Sequence, residues 1–377
     1  MEFDHKHYIP CLKWKQGEYQ AISRFDSSIK NYFTPLIEVP EIGWDFEEKR
    51  NIRTLEEHLM LFTKRVIKKW GKAPCIIDTR YILSTGKIEE SVQTIRFIFN
   101  KLRENCCYAI PTIHLDNDNE YKEEIRNIIK ENEEELCLLK EDKEDLCLRL
   151  SLEQASKEKL KKDIDIMLEK LKIQLNKIHL ILDMDAPNYI PLEGFAKLIK
   201  KIIYNLPYLN EWRTFSILGT SIPKTMSEIK KGVKILDRYE WIFYKRIIED
   251  FEKENSRLPT FSDYGIYHPN ILLPRDMRQI NSSANIKYTI NDKWFIVKGR
   301  GIKVEGGLDL EQFRDLSKTI ISTQYYYGSN FSFGDDYIEK CANGKTKTPG
   351  SLTRWIQVCT NHHIQKVIKD IANYYAS

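Results

Sequence analysis

Lys177–Ala186 reads KIHLILDMDA, an unbroken apolar core that ends in Asp183 and Asp185. A near-continuous run of Ile and Leu marks a strand covered on both faces, the kind found in parallel sheets packed between helices. Seven further runs share this form. They are Tyr32–Pro40 (YFTPLIEVP), Ala73–Ile82 (APCIIDTRYI), Cys106–Asp116 (CCYAIPTIHLD), Asp145–Leu152 (DLCLRLSL), Trp212–Pro223 (WRTFSILGTSIP), Arg238–Ile248 (RYEWIFYKRII) and Leu258–Tyr267 (LPTFSDYGIY). The stretches between them carry helical spacing. Thr54–Trp70 repeats apolar residues every three or four positions, as do Glu89–Leu102, Ser156–Leu175 and Leu192–Tyr204. Strand–helix alternation through residues 1–268 predicts an α/β fold, a TIM-like (β/α)8 barrel, with Tyr8–Phe25 as a strand–helix lead-in.

Barrels of this kind place their sites at the C-terminal ends of the strands. Those ends carry Glu38, Asp78, His114, Asp116, Arg149, Asp183, Asp185 and Asp263. Side chains alternate faces along a strand. His179, Ile181, Asp183 and Asp185 therefore share a face, as do Ile110, Thr112, His114 and Asp116; Ile76, Asp78 and Arg80; and Cys147, Arg149 and Ser151. Each set turns polar towards its end. A barrel with no ligand would fill that layer with aliphatic side chains more simply, although buried charges do persist when paired. Several carboxylates with two arginines suit two chemistries. They can hold a divalent cation such as Mg²⁺ or Mn²⁺ while arginine steadies a phosphate, or act as acid and base on a glycosidic bond. The arginines favour the phosphoester hydrolase over the glycosidase. Glu38, Asp78, Asp183 and Asp263 are the candidate catalytic carboxylates, with Arg80, His114, Arg149, Asp185 and Tyr264 as substrate contacts.

Beyond Tyr267 the pattern changes. Residues 269–377 form a C-terminal α+β extension: a hairpin, Asn285–Thr289 and Trp294–Lys298, around Asn291–Asp292; a helix, Leu308–Thr323; and a long final helix, about Ser351–Tyr374. This extension should pack on the barrel or cover its mouth. Asp335, His362 and His363 lie here. Histidine titrates near neutrality and pairs readily with aspartate, so one ring oriented by Asp335 could reach the site as base or ligand, against the alternative that both rings dock the helix. Cys341, Cys359, His362 and His363 have a spacing that matches no usual zinc finger. The glycines of Gly299–Gly307 lack the Gly-Lys-Ser/Thr of a phosphate loop and read as turns.

The chain has 377 residues, with 59 Lys and Arg against 55 Asp and Glu, a net charge of +4. This near balance gives no general support to DNA binding. The opening MEFDHKHYIPCLKWK lacks the form of a secretory signal, and no apolar stretch approaches the roughly 18 residues that cross a bilayer. The eight cysteines are too sparse for a disulfide scaffold. The expectation is a cytoplasmic protein with no membrane association.

The opening YIPCLKWKQGEYQAI with TPLIEVP, then SDYGIYHP, NIKYTINDKWFIVKGRG and the terminal FGDDYI…W…TNHHIQKVI, together resemble the beta protein family of phages, prophages and other bacterial mobile elements. The resemblance spans about Tyr8 to Val367. It points to Lys13, Lys15, Glu18, Glu38, Asp263, Tyr264, His268 and Pro269, and in the tail to Tyr288, Gly334, Asp335, Trp355, His362 and His363. It adds Lys13, Lys15, Glu18 and Asp335 to the substrate contacts and His362 and His363 to the catalytic candidates. The closely spaced charges of the opening strand, which leads directly into the first barrel unit, predict that this segment approaches the mouth. It implies a setting rich in phage-conflict genes and no particular reaction. Two functions compete: an enzyme acting on a phosphorylated or nucleic-acid-derived substrate in phage defence, and a non-catalytic protein recognising a phage component or a protein encoded nearby.

Overall fold

A computed structural model describes residues 4–83, 88–134, 145–270 and 280–376. Eight parallel strands close into a barrel: β1 (Tyr8–Leu12), β2 (Leu36–Glu38), β3 (Cys75–Asp78), β4 (Ala109–Ile113), β5 (Leu146–Ser151), β6 (Ile178–Asp183), β7 (Thr214–Gly219) and β9 (Thr260–Asp263). β9 closes on β1, pairing Phe261 with Tyr8 and Asp263 with Pro10. The fold is therefore the expected TIM-like α/β barrel, but its strand roster differs in two places. The opening segment is itself barrel strand β1, and Arg238–Ile248 is no strand.

Tyr239–Lys253 is a helix, with Trp241, Phe243, Tyr244, Ile247, Ile248 and Phe251 buried. Those positions repeat at three- and four-residue intervals, a helical stripe that aromatic and β-branched content disguised as a strand. Just before it, β8 (Gly232–Asp237) leaves the barrel and pairs antiparallel with the tail hairpin, β10 (Ser283–Ile290) and β11 (Lys293–Gly301), in the order β8-β11-β10.

Helices on the outside bury their apolar stripes against the strands. Leu55–Lys69 begins at a capping box: Thr54 Oγ1 accepts from the Glu57 amide at 3.2 Å, and Glu57 Oε2 accepts from the Thr54 amide at 2.9 Å. Such caps satisfy amides that the first helical turn leaves unpaired. Leu192–Tyr204 follows β6, and Tyr239–Lys253, reached through β8, is the helix between β7 and β9.

The last helix of the barrel ring is the C-terminal helix, Leu352–Tyr374. Its Ile364, Val367, Ile368 and Ile371 join the same apolar core as Tyr8, Trp241, Tyr244 and Phe261. It takes the place outside β9 and β1 that a helix directly after the final strand would fill, so the hairpin and helices Gln312–Ile321 and Phe333–Ala342 are inserted between β9 and its covering helix. Close approach demands small residues there. A Cβ on Gly17 would lie 2.3 Å from Ile356, and one on Gly334 would lie 2.4 Å from the Val358 carbonyl oxygen. A second core, including Tyr288, Trp294, Ile296, Phe313, Val358 and Trp355, binds the inserted unit to the other end of that helix. Among the described residues no helix is long and apolar enough to cross a membrane.

Candidate functional site: a charge-balanced barrel mouth

Ile9, Cys11, Leu36, Ile76, Ile110, Cys147, Ile181, Leu218 and Tyr264 form one cluster, the inward-facing layer of the barrel. Counting on by two along each strand reaches Lys13, Glu38, Asp78, Arg149 and Asp183, which therefore meet at the C-terminal end. Arg149 is their hub. Its Nη1 donates to Glu38 Oε1 and to Asp78 Oδ2, both at 2.8 Å, and its Nε donates to Asp183 Oδ2 at 2.9 Å. Its Nη2 lies 2.9 Å from the Tyr264 hydroxyl, which itself donates to Asp183 Oδ1 at 2.6 Å.

Two more cations complete the set. Lys13 Nζ sits 2.6 Å from Glu38 Oε2 and donates to the Tyr81 hydroxyl at 2.9 Å. Arg80 Nη2 donates to Glu38 Oε1 at 2.9 Å and lies 3.7 Å from Asp183. His114 Nε2 is 3.2 Å from both Asp78 oxygens. Three carboxylates thus face two guanidinium groups and one ammonium. Burial alone would raise the Glu38 carboxyl, but the charges of Arg149, Lys13 and Arg80 outweigh it and hold it at about 2. Burial is likewise outweighed at Asp78, held well below the usual carboxylate range by His114, Arg149 and Arg80. Burial pushes the Tyr264 hydroxyl well up, so it stays a donor to Asp183.

The other candidates lie at different depths. Asp185 is exposed, accepting from Asn270 Nδ2 at 3.2 Å, and Asp116 is exposed as well. Lys15 is exposed at the mouth side of β1, its Nζ 5.6 Å from the centre of the Tyr267 ring. Glu18 is buried beneath it, accepting from the Lys15 amide at 2.9 Å and the Lys13 amide at 3.3 Å. Burial, opposed by those amides, raises the Glu18 carboxyl to about 7. Glu18 thus holds the turn that delivers Lys13 to the cluster. Tyr81 was not among the sequence candidates; its only signal was its place beside Arg80.

Asp263 does not join this cluster. It neighbours Tyr264, and successive residues of a strand face opposite sides. With Tyr264 inside, Asp263 points outward, where it accepts from the Tyr8 hydroxyl at 2.6 Å and from the Gly265 amide at 2.8 Å. The C-terminal helix meets it there: His363 Nε2 lies 2.9 Å from Asp263 Oδ2, and Nδ1 lies 2.8 Å from Thr289 Oγ1. His362 Nδ1 lies 2.9 Å from Asp335 Oδ2, and its Nε2 lies 2.8 Å from the Thr289 carbonyl oxygen. Both of these partners only accept, so both His362 nitrogens are placed to donate. The His362 ring stacks on Tyr288 at 3.8 Å and the His363 ring on Trp294 at 4.9 Å. Tyr288 donates to Asp335 at 2.5 Å, as does Ser332. His362, His363 and Asp335 are fully buried, and together with Asp263 they form a seam between barrel and inserted unit.

Among the described residues, no group of three or more His, Cys, Asp or Glu is arranged to hold a metal ion. The mouth carboxylates are instead spent on cations. At the opposite end of the barrel, His179 Nδ1 is 2.9 Å from Thr214 Oγ1 and Arg213 Nη1 is 2.5 Å from Asp145, a closed polar cap.

The molecule is thus a (β/α)8-type barrel with a neutral, densely paired mouth and an α+β insertion ahead of its last helix. The chain belongs to the Beta protein family, whose sequence profile matches residues 8–369. It is 21% identical, over 385 aligned residues, to the protein named Protein beta of Enterobacteria phage P4; the alignment covers 97% of this chain and 94% of that one. No solved structure matches the chain.

Proposed function

We propose that the mouth binds a phosphate-bearing small molecule or nucleic-acid fragment and hydrolyses its phosphoester. Arg80 and Lys13 are the anion contacts, and His114, oriented by Asp78, is the base that activates water. The observation that carries this reading is which members of the network reach solvent. The Arg80, His114 and Lys13 side chains are 30%, 13% and 11% exposed, whereas Asp183 is 7% and Glu38 and Asp78 are each 1% exposed. An incoming ligand meets cations and an imidazole first. A guanidinium matches two phosphate oxygens at once, and an imidazole held by a carboxylate suits proton abstraction from water. A glycosidase needs a carboxylic acid that still holds its proton near neutrality. Glu38, held at about 2, does not supply one, and Glu18, raised to about 7, is buried with its oxygens taken by the Lys13 and Lys15 amides.

A second reading is recognition without chemistry, of an anionic phage component or of a protein encoded nearby. The saturation of Arg149 favours it, since a fully paired hub resembles a rigid floor. Family membership supports a phage or mobile-element setting, with a part in antiviral defence as the finer proposal. A reducing, cytoplasmic setting is the finer proposal for location, in keeping with the sparse cysteines of the chain.

The test is to warm the purified protein with a panel of phosphomonoesters and nucleotides and to assay each for hydrolysis. A ligand at a hundredfold its Kd should stabilise the fold by about 2.7 kcal/mol. His114→Asn should keep binding and lose turnover, and Arg80→Ala should lose both. Binding with no turnover across the panel would leave the recognition reading. Absence of any phosphate-dependent stabilisation would sink the anion site.

A further inference from the structure

Strand β8 lies at the margin of the three-stranded sheet, with β11 on one side and, among the described residues, no strand on the other. Its pairing places Val233 opposite Val297 and Ile235 opposite Phe295. Residues directly opposite in an antiparallel pair share a face. Helix Gln312–Ile321 and the chain beyond it cover that face. A Cβ on Gly299 would lie 2.1 Å from Gln312 Oε1, and the Phe295 and Tyr325 rings are 5.6 Å apart. That cover ends one strand short: Phe295 and Val297 are buried, while Val233 is 50% and Ile235 40% exposed.

The strand is also held ready. Lys298 Nζ donates to the carbonyl oxygens of Met226 at 2.6 Å and Ile229 at 2.5 Å, fixing the loop that leads into β8. At the far end, Arg238 fixes the exit by donating to the Asn291 carbonyl oxygen at 2.7 Å. Three exposed lysines flank the edge: Lys230, Lys231 and Lys234, none of them in an ion pair among the described residues. Asp237, the acid at the end of the strand, is taken by Lys293 at 2.5 Å.

Lysines on an edge strand guard against indiscriminate pairing, yet Val233 and Ile235 leave an exposed apolar strip on the face opposite the one Lys234 takes. We infer that this edge is a docking groove for an extended segment of a partner protein that alternates apolar and acidic residues. Such a segment adds as a fourth strand beside β8. Its backbone pairs with the free edge, its apolar side chains cover Val233 and Ile235, and its carboxylates meet the three lysines. Strand addition of this kind draws affinity from main-chain hydrogen bonds and specificity from alternate side chains. The surface lies on a segment between β7 and β9 that pairs with the inserted hairpin, and none of its residues belongs to the mouth network.

The experiment is selection from a randomised decapeptide display library on the full-length protein, followed by hydrogen exchange with the best peptide. Enriched sequences should alternate apolar with acidic residues, and amide exchange across Gly232–Asp237 should slow at least tenfold on binding. The double variant Lys231→Glu/Lys234→Glu should weaken binding more than tenfold with an unchanged melting temperature, because both side chains are exposed. A peptide N-methylated on the amides facing the edge should lose binding altogether. Enrichment without alternation, no enrichment, or protection elsewhere would overturn the inference. So would a concentration-dependent dimer broken by Ile235→Lys, which would show a second copy of the chain on this edge.

Discussion

The barrel mouth and the histidine seam are built from the same materials, carboxylates at or beside strand ends with cationic or imidazole partners, yet they differ in what solvent can touch. At the mouth, Arg149, Glu38 and Asp78 are buried, but Arg80, Lys13 and His114 extend the network outward. In the seam, Asp263, His363, His362 and Asp335 are closed on every side by Tyr8, Tyr288, Thr289 and Trp294. A polar cluster whose every atom is matched and sealed holds elements together. A cluster with a matched floor and an open rim has groups left to address a ligand.

The comparison breaks most visibly at the two buried hubs. Arg149→Leu takes from three buried carboxylates the guanidinium they share, and removing one partner of a buried pair costs about 3–5 kcal/mol. Glu38 keeps Lys13 and Arg80, Asp78 keeps His114 and Asp183 keeps Tyr264. All three lose their shared buried guanidinium, so we expect a large loss of folded protein, read by circular dichroism and soluble yield. Arg149→Lys, which keeps the charge but not the fork, should fold and melt lower. Asp263→Ala leaves the Tyr8 hydroxyl and His363 unmatched in the seam, with an expected loss of about 3 kcal/mol by urea denaturation. If that substitution removed phosphate binding and left stability alone, the two regions would have to exchange roles.

Much of this division was legible in the sequence, and the rest failed for identifiable reasons. The buried runs gave Glu38, Asp78, Arg149 and Asp183 because alternation along a strand is a strict rule. Applied at Asp263–Tyr264, the same rule lets only one of the two neighbours enter the barrel, and which one depends on the register against β1 and β7. Arg238–Ile248 misled because its aromatic and branched residues suit a strand while their spacing suits a helix. The place of the C-terminal helix in the barrel ring was not readable, since it depends on contacts between residues far apart in the chain, such as Asn361 Nδ2 with the Ala21 carbonyl oxygen, 340 positions away. His362 and His363 drew attention as chemistry-bearing residues, but adjacency on a helix says nothing about burial.

Smaller effects sharpen the comparison. Glu18 has its carboxyl raised to about 7 by burial. A group raised on folding favours the folded state while protonated, so its contribution is present below the unfolded value of roughly 4.5 and is lost as pH rises through about 7. Glu18→Gln should therefore be worth more, relative to wild type, at pH 8 than at pH 5, by about 1–3 kcal/mol in denaturant titrations. Glu38 has the opposite sign: its carboxyl is held at about 2, so its contribution is present above about 4.5 and lost as pH falls towards 2. The smallest change in stability should come from Arg80→Ala, within about 1 kcal/mol, because its charge is partly exposed and two other cations remain. The same substitution should abolish binding of phosphate compounds, and that separation of stability from binding marks a rim residue.

The most direct measurement follows the imidazole resonances of isotope-labelled histidine during a titration with inorganic phosphate, assigned through His114→Asn, His362→Gln and His363→Gln. The mouth account predicts that His114 shifts in a saturable way while His362 and His363 stay fixed. Movement of the seam rings with His114 silent, or no response from any of the three, would contradict it.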